Sequence, residues 1–255
     1  MPETDGTKKL EKFLGAGSEA TGAAVGGVLG SLLGGPLGAV AGGVVGVAIS
    51  RTLTEFANRV LSHREQVRVG VTAHFALLEI CTRLQSGQVP RNDDFFSETV
   101  SGRSYAEEVF EGVLFKAKNE VEEHKLHFLG NAFANIAFRT DISPAAAHLI
   151  LKIAEGLTYR QMCFLAFIAA RGEVDVESLR RGHHASPDLN ALRREEMSLH
   201  DTDVGTFGLL GSTGPWTDKL SPLGQTVVEI LGLSAVPAEH VKEVEDLILQ
   251  ANETL

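Results

Sequence analysis

Four side chains that can ligate a metal ion fall close together near the middle of the chain. They are Glu120, Glu123, His124 and His127. On a helix this spacing places all four on one face, and imidazole with carboxylate is a donor set that transition metals use. No second set with matching spacing occurs elsewhere, and the His183-His184 pair stands alone. We therefore expect a solvated charged face here, with no bound metal.

The sequence contains none of the short patterns that carry common catalytic chemistry. It has no nucleophile elbow, no phosphate-loop lysine motif and no paired-cysteine site. Cys81 and Cys163 lie in apolar helical patterns, which favours two free thiols in a reducing compartment. We predict that the protein is not an enzyme and uses no cofactor.

Charge argues against a general nucleic-acid binder, because the chain of 255 residues carries a net charge of −10. The residues best placed to contact DNA or another partner are Arg180, Arg181, Arg193 and Arg194. Glu195 and Glu196 share a predicted helix with the last two arginines, and phosphate contacts need positive charge. A protein partner or a structural role is therefore favoured for this region.

The most distinctive stretch is residues 20–50, which contains no charged residue. Glycines recur in it at every fourth position, namely Gly22, Gly26, Gly30, Gly34, Gly38, Gly42 and Gly46. Such glycines are costly in a free helix in water, at about 1 kcal/mol each relative to alanine. In packed helices, small residues at this spacing let two backbones approach closely. The row predicts a helix-association interface, here named the glycine zipper.

Two geometries remain open for the zipper because Pro36 lies near its middle. A single kinked helix would be about 46 Å long, more than the roughly 30 Å hydrocarbon core of a bilayer. A helical hairpin would give two arms of about 22 Å each. No tryptophan or tyrosine flanks the segment, so insertion that depends on a trigger is also an option.

The rest of the chain predicts helices, with one small β region. Apolar periodicity indicates long helices over residues 51–85 and 104–139. Ser143 with Pro144, and Thr158, are expected N-terminal caps. Short helices are predicted over 176–181 and 189–199, strands over 204–210 and 216–220, and helices from Ser221 and over 238–251.

These elements predict a mainly α chain in four parts. An amphipathic lead-in covers residues 1–19, and the zipper, as one helix or a helical hairpin, covers 20–50. A helical stalk or bundle covers 51–157, and a small α+β winged-helix-like domain with an acidic last helix covers 158–255.

Two stretches carry a resemblance. The segment Lys219-Leu220-Ser221-Pro222-Leu223-Gly224-Gln225 is similar to the turn after the wing in many bacterial winged-helix proteins. The preceding stretch, Glu122-Glu123-His124-Lys125-Leu126 through Asn131, Asn135 and Leu157-Thr158-Tyr159-Arg160-Gln161, resembles uncharacterised bacterial proteins. Those proteins pair a glycine-rich apolar N-terminal segment with a helical C-terminal region. The resemblance implies this architecture and assigns no functional residue.

The sequence thus favours a membrane-active oligomer. Zipper helices would associate in the lipid bilayer to form a pore or an anchor, in the setting of bacterial defence, and a cytosolic winged-helix-like domain would sense or dock a protein. It would reside in the inner membrane, or in the cytoplasm with conditional insertion. The alternative is a soluble oligomeric binding module, with the zipper buried in its core and the wing binding protein or DNA.

Overall fold

The computed structural model describes residues 43–57, 59, 61–177, 189–214 and 217–252. Within these ranges the chain forms nine α-helices and one three-stranded antiparallel sheet. The prediction of a mainly α chain with a small β region is confirmed. The chain divides into two compact units, Met1–Lys152 and Ile153–Leu255, here called the first and second units.

The first unit is a set of packed helices. Its elements are α1 (Val44–Ala57), α2 (His63–Gln85), a 3₁₀ helix (Asp94–Phe96), α3 (Tyr105–Asn119), α4 (Lys125–Ile136) and most of α5 (Pro144–Gly156). α4 is the centre of this unit, because every residue in it except His127 is buried. α2 packs on α4 at Gly130, where an added Cβ would lie 2.6 Å from the carbonyl oxygen of Thr72. The missing side chain therefore allows the two helices to touch backbone to backbone.

Each of the two long predicted helices is in fact a pair. The 51–85 prediction covers the end of α1 and all of α2, which begins at a capping box between Ser62 and Glu65. The 104–139 prediction covers α3 and α4, and α3 ends where Glu120 adopts an extended backbone. In each pair, apolar residues recur at helical spacing on both sides of the point where the first helix ends. The periodicity alone therefore does not show that the helix is interrupted there. The predicted caps at Ser143 and Thr158 are confirmed.

The second unit surrounds helix α6 (Tyr159–Arg171). Its other elements are β1 (Val174–Asp175), α7 (Leu189–Thr206), β2 (Leu210–Gly214), β3 (Thr217–Leu220), α8 (Pro222–Leu231), a 3₁₀ helix (Leu233–Ala235) and α9 (Ala238–Asn252). α6 packs against α7, α8, α9 and β3, and the residues from Gln161 to Ile168 are buried. β3 lies between β1 and β2.

The predicted strand over residues 204–210 is wrong. Residues 204–206 of this stretch complete α7, which runs to Thr206 rather than stopping at Leu199. Gly208, at φ 73°, then turns the chain into β2. β-branched and apolar residues in 204–210 gave the strand pattern, but Val204 is buried on a helix face.

The prediction of a membrane-active, pore-forming protein is contradicted. None of the helices in the described ranges combines the length and the apolar composition that crossing a bilayer requires. Residues 44–50 of the predicted transmembrane segment belong to α1, a helix of 14 residues that continues through Arg51 and Glu55. α1 buries one face on α3 and on the first 3₁₀ helix, so its apolar residues meet protein.

Candidate interaction site

Most of the residues predicted to function lie outside the described ranges. These are Gly22, Gly26, Gly30, Gly34, Gly38 and Gly42 of the zipper, with Arg180 and Arg181. The His183-His184 pair, to which no function was assigned, also lies outside these ranges. Gly46 is half-buried in the first turn of α1. Arg193 and Arg194 lie on α7, where their side chains are not described. The structure therefore tests neither the zipper interface nor the arginine contacts.

The described end of the zipper segment lies in α1. The buried face of this helix carries Val45, Ala48, Ile49, Leu53 and Phe56, each at most 4% exposed. Spacings of three and four residues place these side chains on one stripe. The Phe56 ring packs edge-on against Phe115 of α3, with ring centroids 5.1 Å apart. This apolar stripe fixes α1 to the helical bundle.

Beside this stripe the first two turns of α1 border a cleft of about 340 Å³. Gly43, Val44, Val47 and Ala48 form one wall, and Phe96 of the 3₁₀ helix contributes to the lining. Val44 and Val47 are 57% and 56% exposed. Ligand pockets typically begin at about 300 Å³ and are lined mostly by apolar groups. The cleft is therefore large enough for a few apolar side chains.

Charged groups close one end of the cleft. Arg51 Nη1 lies 2.7 Å from Glu98 Oε1 and 3.6 Å from Glu107 Oε1. The hydrogen bond to Glu98 is the main cause that raises the pKa of Arg51 above its usual value. Glu107 is buried, and its Oε2 accepts hydrogen bonds from Ser104 N at 2.7 Å and Ser104 Oγ at 3.0 Å. This end is therefore charged but internally paired, whereas Val44 and Val47 leave the opposite part of the lining apolar and exposed.

The four side chains that were weighed as metal ligands do not converge on one point. Glu120 pairs with Lys125 at 2.6 Å, Glu123 pairs with Arg64 at 3.1 Å, and His127 Nε2 is 3.1 Å from Asn131 Nδ2. Across the described residues, no group of three or more histidine, cysteine, aspartate or glutamate side chains could hold a metal ion.

The predicted solvated face is wrong in part at these positions. Lys125 is buried, and burial lowers the pKa of His127 to about 4. The His127 ring stacks near Phe75, with centroids 4.4 Å apart. Because the chain breaks after α3, this histidine is half-buried against Phe75 of α2. A single unbroken helix over residues 104–139 did not predict that position.

In the second unit a polar cluster joins α6 to α9. The Tyr159 hydroxyl and His240 Nδ1 share a hydrogen bond of 2.7 Å. Burial is the main cause that raises the pKa of Tyr159, and burial raises the pKa of the Cys163 thiol to about 11. A protonated, buried thiol is a poor nucleophile. The Tyr159–His240 hydrogen bond therefore links the two helices, and the neighbouring Cys163 thiol is unreactive.

The turn between β3 and α8 is the other tightly built feature of this unit. The Ser221 hydroxyl donates to the carbonyl of Gly208 at 2.7 Å and accepts from the Gly224 amide at 3.0 Å. The Ser221 amide donates to the carbonyl of Leu209 at 2.9 Å. An added Cβ at Gly224 would lie 2.1 Å from that same carbonyl oxygen. The serine and the glycine of this short motif therefore serve packing at the base of the β2–β3 hairpin.

Sequence reasoning missed the cleft because it arises between elements far apart in the chain. Its walls come from α1, the 3₁₀ helix and the start of α3, whose residues lie about fifty positions apart. Comparison of the chain with protein-family models, with curated proteins and with solved structures gave no match.

Proposed function

We propose that this protein is an oligomeric binding module whose glycine zipper packs against protein. The observation that carries the proposal is the packing of α1, which contains residues 44–50 of the predicted zipper segment. α1 buries its apolar stripe on α3 and the 3₁₀ helix. The glycines before it offer the close backbone approach that helix association uses. In this proposal the first unit is the scaffold and the zipper joins copies of the chain.

We further propose that the second unit is a winged-helix-like domain. Three features support this. α6 precedes β1, α7 lies between β1 and β2, and the antiparallel sheet has the order β1-β3-β2. In this arrangement the β2–β3 hairpin is the wing and α7 is the helix that would contact a partner.

The chemistry of α7 and the wing favours a protein partner over nucleic acid. The wing strand β2 has the sequence LGSTG, without a lysine or arginine. Leu199 on α7 is 64% exposed, and Asp203 lies one turn further along the same helix. Nucleic-acid surfaces need positive charge to neutralise phosphates. An exposed leucine beside an acidic residue suits a partner with apolar and basic side chains.

The oligomer is tested by light scattering on the purified full chain. Each copy has a mass of 27.3 kDa, and we expect a multiple of this value. Gly30→Leu with Gly34→Leu should reduce the mass to one copy, because leucine blocks close backbone contact. Gly15→Leu with Gly17→Leu is the matched control outside the four-residue row. A wild-type chain that runs as one copy, or a zipper variant with the wild-type mass, would contradict the proposal.

The choice of partner class is tested by filter binding with double-stranded DNA of mixed sequence at about 50 mM salt. We expect no retention, since nonspecific DNA binding relies on lysine and arginine contacts. Retention that falls steeply with salt and disappears in Arg193→Ala with Arg194→Ala would overturn the preference for a protein partner.

A further inference from the structure

The cleft beside α1 has an apolar wall and a charged end. Val44 and Val47 are both more than half exposed along the wall, and Phe96 adds an aromatic ring. From Val44 to Arg51, at the charged end, α1 rises about 10 Å. The volume of about 340 Å³ is close to the lower limit for small-molecule pockets, which is about 300 Å³. A molecule that fits is therefore small, apolar along its body and polar at one end.

The charged end carries an excess of negative charge. Arg51 lies 2.7 Å from Glu98 and 3.6 Å from Glu107, so one guanidinium faces two carboxylates. An anionic head group would meet both carboxylates, and the one cation that could receive it is already bound to Glu98. A positively charged head group is attracted by the excess carboxylate. Charge complementarity therefore selects a cation.

Glu107 can accept a further hydrogen bond at this end. Its side chain is 6% exposed, and its Oε2 accepts from the amide and the hydroxyl of Ser104. Its Oε1 lies 3.6 Å from Arg51 Nη1, whereas N–H···O hydrogen bonds are about 2.7–3.2 Å long. A primary ammonium carries only donors, which suits two carboxylates. The described residues hold no group of three or more metal-ligating side chains, which favours an organic cation over a metal ion.

We propose that this cleft binds a small primary amine with a short alkyl body. The ammonium group lies between Glu98 and Glu107, and the alkyl body lies along Val44 and Val47. Size decides between this ligand and a second copy of the chain. A standard protein interface buries about 800 Å² on each partner, and two valines with one phenylalanine supply far less. The inference does not depend on the proposed oligomer.

The test is isothermal titration calorimetry on the purified full chain at low salt, with hexylamine, hexanol and hexanoate as probes. The three share one alkyl body and differ in the charge of the head group. We expect hexylamine to bind at least about 10-fold more tightly than hexanol, because hydrogen bonds to charged groups are the stronger ones. Hexanoate should bind more weakly than hexanol. Butylamine should bind about 15-fold more weakly than hexylamine, since each buried CH₂ contributes about four-fold.

Two variants at the charged end should change the affinity in opposite directions. Glu98→Gln should weaken hexylamine binding by about 10-fold and leave hexanol binding unchanged. Glu123→Gln is the matched control, because Glu123 pairs with Arg64 away from the cleft and loses the same charge; its affinity should change less than about two-fold. Arg51→Gln should strengthen hexylamine binding, since both carboxylates are then free of the competing guanidinium. Misfolding cannot produce both effects.

Several results would overturn the inference. These are no heat of binding with hexylamine up to about 10 mM, hexanoate binding as tight as that of hexylamine, and an unchanged affinity in Glu98→Gln. Weaker hexylamine binding in Arg51→Gln would also overturn it. Tighter binding of the blocked peptide acetyl-Leu-Lys-Leu-amide than of hexylamine would make a protein segment the ligand. A lower mass of Glu98→Gln in light scattering would make a second copy the occupant, and either result would contradict a small amine.

Discussion

Replacing Gly224 by alanine tests the packing of the β3–α8 turn against the β2–β3 hairpin. The new Cβ would lie 2.1 Å from the carbonyl oxygen of Leu209 and 3.0 Å from its carbonyl carbon. Carbon–oxygen contacts of this kind are ordinarily about 3.3–3.6 Å, so α8 or the hairpin must move by about 1 Å. Both neighbours are backbone atoms, which no side-chain rotation can clear.

The expected cost follows from two opposing effects. Overpacking a well-packed site costs about 1–3 kcal/mol, and occasionally more. Alanine in a helix gains about 1 kcal/mol over glycine, and Gly224 lies in α8. A clash with backbone places the overpacking cost at the upper end, so we expect a net loss of about 2 kcal/mol. For a chain of this size that loss lowers Tm by about 4–8 °C.

The matched control is Gly205→Ala in the same unit. Gly205 lies in α7 and an added Cβ there meets no atom within 4 Å. Alanine should therefore raise stability by up to about 1 kcal/mol. Unfolding is followed by fluorescence of Trp216, the chain's one tryptophan, which lies in sequence between β2 and β3. Equal stability of the Gly224→Ala variant and wild type, within about 0.5 kcal/mol, would refute the packing argument.

Three further predictions concern the first unit, and each is checked by denaturant unfolding followed by circular dichroism. Gly130→Ala should lose about 2 kcal/mol, because its Cβ would lie 2.6 Å from the carbonyl oxygen of Thr72; a neutral result would contradict the close contact. Arg91→Lys should lower the free energy of unfolding by about 2 kcal/mol. The buried guanidinium donates to the carbonyl of Ile142 at 2.8 Å, and lysine lacks the planar set of N–H donors that arginine has. Wild-type stability of this variant would contradict the role of the guanidinium. The pKa of His127 is lowered to about 4, so the unfolded chain binds a proton there between about pH 6.5 and pH 4 while the folded chain does not. Wild type should therefore lose stability as pH falls through this window. In His127→Gln that loss should be smaller by about 1–3 kcal/mol, and identical pH profiles of the two proteins would refute the lowered pKa of His127.

Local signals in the sequence were sufficient to predict helix starts in several places. Thr158 and Ser221 both accept the expected backbone hydrogen bonds, and Pro222 occupies the first helical turn. A cap depends on three or four consecutive residues, so short-range chemistry determines it. The mainly α class follows for the same reason, because apolar spacing of three and four residues persists through most of the chain.

The features that sequence did not predict depend on distant neighbours. The break between α3 and α4 brings Lys125 into the core, where it pairs with Glu120 at 2.6 Å. The apolar periodicity over residues 104–139 continues across this break and therefore gave no sign of it. Arg91 lies between the helices predicted over 51–85 and 104–139, yet its guanidinium is buried and lies 4.3 Å from the Phe95 ring centroid. The cleft beside α1 needs three elements to exist at all. Each of these features depends on residues that are far apart in the chain, so no short stretch of sequence predicts it.

The zipper itself was misjudged for a physical reason. An uncharged glycine-rich stretch fits lipid or a protein core equally well, because both exclude water. α1 shows which environment the end of the stretch meets, since Val45 and Ile49 are each 1% exposed within the first unit. Composition alone cannot supply that distinction.

Hydrogen exchange of the full chain in lipid-free buffer tests most directly whether the zipper packs against protein. We predict that peptides covering residues 22–42 exchange about 100-fold or more slowly than an unstructured chain. Gly30→Leu with Gly34→Leu should abolish this protection, and Gly15→Leu with Gly17→Leu should preserve it. Exchange of the wild-type zipper at unstructured rates in buffer would contradict the proposal.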